Sequence, residues 1–96
     1  MMFELEQTMK KQKVNVLDVR EIDEYNEGHI PGAIHTPMSE FMNHLDKIKK
    51  NESYYVVCYS GSRSQVVAGY LGNNGYQVIN VLGGMSTYKG KLDYEV

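Results

Sequence analysis

Tryptophan is absent from this chain of 96 residues, cysteine occurs once and proline twice. A single cysteine excludes an internal disulfide, so the fold is not covalently stapled. No apolar run approaches the ~18 residues that a membrane-spanning helix needs. Neither charge sign dominates: 10 basic against 12 acidic residues leave a formal charge of −2, which argues against a nucleic-acid or membrane-surface role. The opening "MMFELEQTMKKQK" is acidic early and lacks the apolar stretch of an export signal. A reducing cytoplasm is the expected compartment, and a lone thiol stays chemically available there. Repeats, low-complexity tracts and Pro/Gly/Ser-rich linkers are missing too, so residues 1–96 read as one domain.

What is present alternates between apolar strand runs and helical patterns. "VNVLDV" (Val14 to Val19), "SYYVVCY", "QVINVL" and a short "AIH" read as strands. "REIDEYNEG" offers an acidic helical turn ended by Gly28, and Ile30-Pro31-Gly32-Ala33 suits a type II turn. From Ser39 to about Lys50, Phe41, Met42, Leu45 and Ile48 recur at helical spacing. "SRSQVVAGYLGNNGY" reads as a second helix, with Val66, Val67, Tyr70 and Leu71 inward and Asn73-Asn74-Gly75 ending it. Phe3, Leu5 and Met9 suggest a short strand and then a helix, and "GGMSTYKGKLDYEV" a turn, a short helix and a tail. This alternation predicts an α/β fold with a mainly parallel sheet flanked by helices.

The chemistry points to "YYVVCYSGSRS" (Tyr54 to Ser64), where an apolar strand ends at the only cysteine. Cys58 then sits at the C-terminal end of a parallel strand, where open α/β sheets bind ligands. The proline-free loop Tyr59, Ser60, Gly61, Ser62, Arg63 can turn its backbone N–H groups inward as an anion nest, and the following helix adds its positive end. A thiol there has its pKa lowered, and a thiolate is the attacking species. A buried inert cysteine would not need such a loop.

"LDVREIDEYNEGHIPGAIHTP" (Leu17 to Pro37), "CYSGSRS" (Cys58 to Ser64) and "GYQVINVLGGMSTYKG" (Gly75 to Gly90) resemble, in order and spacing, the segments of rhodanese-like sulfurtransferase domains. The resemblance implies a three-layer fold with about five sheet strands and a persulfide on Cys58 as catalytic intermediate. It implies a donor such as thiosulfate, an acceptor that is a small thiol, cyanide or a protein, and no cofactor. The N–H groups of Tyr59 to Arg63 would cradle the bound sulfur, and Arg63 would attract an anionic donor or stabilise the loop. Tyr88 stands where that family often has tryptophan, and the first edge strand is expected to be abbreviated.

Asp18 and Arg20, at alternating positions of one strand, are expected to form an ion pair or loop anchor, and His29 to tie down its turn by hydrogen bonds. Ser64 belongs with these supports. His35 and His44 show no metal-ligand spacing, so no metal site is expected. Phosphatase and arsenate-reductase loops carry one residue more between cysteine and arginine than the four found here, which favours a nest for one sulfur atom. A persulfide carrier serving one protein partner shares the first half-reaction, and a non-catalytic binding module would not need the cysteine.

Overall fold

The structure, a computed structural model, describes residues 1–94; the last two residues of the C-terminal tail lie outside the described residues. Four strands, β1 (Asn15–Asp18), β2 (Ile34–His35), β3 (Ser53–Val57) and β4 (Gln77–Asn80), form one sheet in the order β2-β1-β3-β4, with every pairing parallel. Around it lie α1 (Met2–Lys11), α2 (Ile22–Asn26) and α3 (Ser62–Asn73), with 3₁₀ segments over Met38–Lys47 and Gly84–Thr87. No helix among the described residues is long and apolar enough to cross a membrane.

Strand alternation sorts the side chains into two cores, one on each sheet face. Leu17, Val19, Tyr54, Val56 and Cys58 meet Ile48 on one face together with Val67 and Leu71 of α3. Val16, Val57 and Val81 meet Met2 and Leu5 of α1 on the other, joined by the half-buried Met85 and Tyr88. That is the layered parallel architecture the alternation predicts.

Several elements differ from the sequence expectation. Four strands are present among the described residues rather than about five, and the N-terminal segment is wholly helix α1. α1 is held by its packing: Leu5 and Met2 are buried, and the Met2 N–H donates to the Leu82 carbonyl at 3.2 Å.

Ten residues from Met38 wind as 3₁₀ rather than α-helix. Three residues per turn bring Met38 and Phe41 onto one line and rotate Met42 off it, so Met42 is 53% exposed. Helix α3 turns Ser64, Val67 and Leu71 to the sheet, spaced three and then four residues apart. Val66 and Tyr70, expected inward, therefore face out, and Tyr70 instead packs edge-on against Phe41 at 5.5 Å between ring centres.

The type II turn at Pro31-Gly32 forms, with Gly32 at φ +81° and the Ala33 N–H donating to the Ile30 carbonyl at 3.0 Å.

Candidate active site

Cys58 is the first residue past β3, at the C-terminal end of the parallel sheet, and is 0% exposed. The chain reverses at Gly61, whose φ of +104° lies in the left-handed region. The reversal brings the Gly61 N–H to 3.0 Å from Cys58 Sγ, as donor to the sulfur. α3 starts at Ser62, and the Arg63 and Ser64 N–H groups of its first turn help hold the thiol's pKa down. Tyr59, Ser60 and Ser62 are exposed. Of the loop N–H groups from Tyr59 to Arg63, that of Gly61 hydrogen-bonds the Cys58 sulfur itself.

Ser64 is buried beneath this loop with Oγ 3.4 Å from Sγ. A protonated thiol donates to Oγ, and a thiolate accepts from the hydroxyl after it rotates. The hydroxyl otherwise donates to Asn80 Oδ1 at 2.5 Å or to the Gly61 carbonyl at 3.2 Å, and the Asn80 amide reaches that same carbonyl at 3.5 Å. Burial pushes the Cys58 thiol up, but the Ser64 hydroxyl and the N–H groups of Ser64, Gly61 and Arg63 outweigh it, so the pKa lies below the ordinary thiol value. Alkylation of Cys58 should accordingly rise at lower pH than for a free thiol. Ser64→Ala removes the largest opposing contribution, and the midpoint of the rate–pH curve should move up. An unchanged midpoint would remove Ser64 from the account.

A second turn braces the loop from behind. The Met85 and Ser86 N–H groups donate to the Cys58 and Tyr59 carbonyls, both at 2.8 Å. This approach needs Gly84, because a Cβ there would lie 2.2 Å from the Cys58 carbonyl oxygen. Tyr88, in the tryptophan position, packs into the α1-side core and donates its hydroxyl to the Lys91 carbonyl at 2.5 Å.

Arg63 is 32% exposed and engaged: Nη1 and Nη2 donate to Glu24 Oε1 and Oε2 at 2.5 and 2.8 Å. Asp18 and Arg20 form a buried ion pair, with Nη2 on Asp18 Oδ2 at 2.8 Å and on the Gly28 carbonyl at 2.8 Å. Strand alternation sends the Asp18 side chain to the Val16 face, opposite the face holding Cys58. His29 is buried and stacked on Tyr25 at 3.7 Å, Nδ1 meets the Tyr25 carbonyl at 3.0 Å, and its backbone pairs with Asp93. Cys58, Gly61, Arg63 and Ser64 therefore come together, while Asp18, Arg20 and His29 organise the neighbouring turns.

Glu24, Asn80 and Gly84 were not singled out from the sequence. Their signals are faint: a polar residue ending an apolar strand, an acid in a short acidic helix, and the second glycine of a pair. Among the described residues no group of three or more His, Cys, Asp or Glu side chains is placed to hold a metal ion.

A family model described as Rhodanese-like domain matches residues 2–91. A thiosulfate sulfurtransferase GlpE of Coxiella burnetii is 37% identical, over 84% of this chain and 77% of its own length. The "Putative sulfur carrier protein YrkF" of Bacillus subtilis is 40% identical over 85% of this chain, which spans only 45% of that protein. Among solved structures, a rhodanese-like domain protein from Staphylococcus aureus superposes with a TM-score of 0.92 at 37% identity, covering 99% of this chain and 95% of that one.

Proposed function

The chain belongs to the rhodanese-like domain family, and from that membership we propose that it transfers sulfur through a persulfide carried on Cys58. The observation that carries this reading is the buried Cys58 sulfur accepting the Gly61 N–H at 3.0 Å, with Ser64 Oγ 3.4 Å away and the first turn of α3 beginning beside it. Such donors stabilise the attacking thiolate and, once sulfur is gained, the anionic outer atom of the persulfide. Relatives named as sulfurtransferases and as a sulfur carrier support the same chemistry.

In the first half-reaction the Cys58 thiolate attacks the outer sulfur of the donor. The new S–S bond forms at Sγ, the donor's own bond to that sulfur breaks, and the leaving group departs with the electron pair. With thiosulfate the products are Cys58–S–S⁻ and sulfite; in the second half-reaction an acceptor nucleophile takes the outer sulfur and regenerates the thiolate. Neither half needs a metal or a proton shuttle. A phosphatase-like reading loses ground on geometry, because the guanidinium fork that would clamp a tetrahedral oxyanion is already filled by Glu24.

The two halves predict ping-pong kinetics. Double-reciprocal plots of transfer from donor to thiol acceptor should give parallel lines as acceptor concentration varies. Intersecting lines would require both substrates to be bound at once and would contradict a covalent relay.

A further inference from the structure

The placement of charge around the site carries an inference about the donor. The chain has ten basic residues, two arginines and eight lysines. Lys10, Lys11 and Lys13 precede β1, and Lys47, Lys49 and Lys50 precede β3, so six of the eight lysines lie toward the N-terminal end of the parallel strands. Cys58 lies at the opposite end. No lysine occurs from Val14 to Asp46 or from Asn51 to Tyr88, leaving Arg20 and Arg63 as the arginine or lysine cations of those segments.

Neither arginine is free: Arg20 is buried against Asp18, and Arg63 is held bidentate by Glu24. Arg63 also feels Glu21, and α2 adds Asp23. With the Asp18–Arg20 pair on the far face of the sheet, the Glu24–Arg63 pair is flanked by two further carboxylates, Glu21 and Asp23, before the thiolate is counted. A dianion approaching this end of the sheet meets stronger repulsion than a persulfide, whose reacting end carries at most one negative charge.

Resting on the sulfur-transfer reading above, we propose that Glu24 is a specificity-determining residue: by filling the Arg63 fork it turns the site from the thiosulfate dianion to the persulfide of a thiol, R–S–SH. The step balances without a further reactant. The Cys58 thiolate attacks the outer sulfur, the donor's S–S bond breaks, and R–S⁻ leaves with the electron pair; the transferred sulfur ends as Cys58–S–S⁻, any proton it carried passing to solvent.

The test measures sulfur loading on Cys58 by mass spectrometry from thiosulfate, from free cysteine persulfide and from a persulfidated cysteine peptide. In the wild type both persulfides should load faster than thiosulfate, the faster of the two identifying a small or a peptide-borne source. Glu24→Gln keeps an oxygen for the Glu21 N–H that Glu24 Oε1 accepts at 3.2 Å, removes the charge and replaces the Oε2 that accepts from Arg63 Nη2 by an NH2 donor, which opens the fork. It should raise the thiosulfate rate by about tenfold while moving the persulfide rates less than about threefold, and a second change, Arg63→Gln, should erase that gain. A thiosulfate rate that stays level or falls along with the persulfide rates would overturn the proposal.

A second measurement needs no variant. Thiosulfate loading of the wild type should speed up as salt rises from about 0.02 to 0.5 M, because screening relieves like-charge repulsion. A rate that falls with salt would reveal an attracting site and overturn the inference, leaving the persulfide relay standing. Loading from none of the donors would defeat the sulfur-transfer reading itself.

Discussion

Replacing Cys58 with serine should leave the protein folded and lower sulfur transfer by at least about a thousandfold. Serine is close to cysteine in size, and the site already offers its oxygen the Gly61 N–H and the Ser64 hydroxyl as partners. The melting temperature should therefore move little, by the equivalent of about 1 kcal/mol. The chemistry does not survive, because an alkoxide is not accessible near neutral pH and oxygen forms no persulfide. A steady-state transfer assay beside a thermal melt separates the two effects. A serine variant with a tenth or more of wild-type activity would show that sulfur moves without Cys58.

Gly84→Ala should produce the largest loss of stability. At φ +50° an alanine costs about 1–2 kcal/mol relative to glycine. The larger problem is steric: its Cβ would sit 2.2 Å from the Cys58 carbonyl oxygen and 2.8 Å from that of Tyr59. Both neighbours are backbone, so no side-chain rotation relieves the clash, and the turn must retreat from the loop. Retreat breaks the Met85 and Ser86 hydrogen bonds to those same carbonyls. Together these cost about 3–5 kcal/mol, a large share of a small domain's stability. The melting temperature should fall by roughly 10–25 °C, and sulfur transfer should fall with it as the donors lose their aim. Gly69→Ala is the control: it lies inside α3 with no atom within 4 Å of an added Cβ, and should be neutral or slightly stabilising. Equal melting of the two variants would mean that the Gly84 turn does not hold the loop.

These effects separate what local sequence encodes from what only the fold assembles. The parallel sheet was legible because β1 and β3 carry runs such as Val16-Leu17 and Val56-Val57, buried on both faces. The position of Cys58 at a strand end was legible for the same reason, and Gly61 marked the reversal that follows. The rotational phase of α3 was not: Val66 and Val67 are equally apolar, and only packing against the sheet turns Val67 in and Val66 out. The 3₁₀ winding from Met38 was hidden because its apolar spacing fits either helix over a few turns.

The partners of the site residues were hidden for a different reason. Glu24 and Arg63 are 39 residues apart in the chain, and Ser64 and Asn80 are 16 apart. Nothing local pairs them; α2 and β4 bring them to the loop only once the sheet has formed. The sequence announces Arg63 as a cation, and its engagement by Glu24 becomes visible only in three dimensions.

Intact-mass spectrometry tests the central claim most directly. Wild-type protein incubated with a thiol persulfide and freed of excess donor should gain the mass of one sulfur atom, located on the Cys58 peptide and lost on adding cyanide or a thiol acceptor. Cys58→Ser should gain nothing under the same conditions. A wild-type protein that turns over donor yet never carries the added sulfur, or carries it on another residue, would contradict a relay through Cys58.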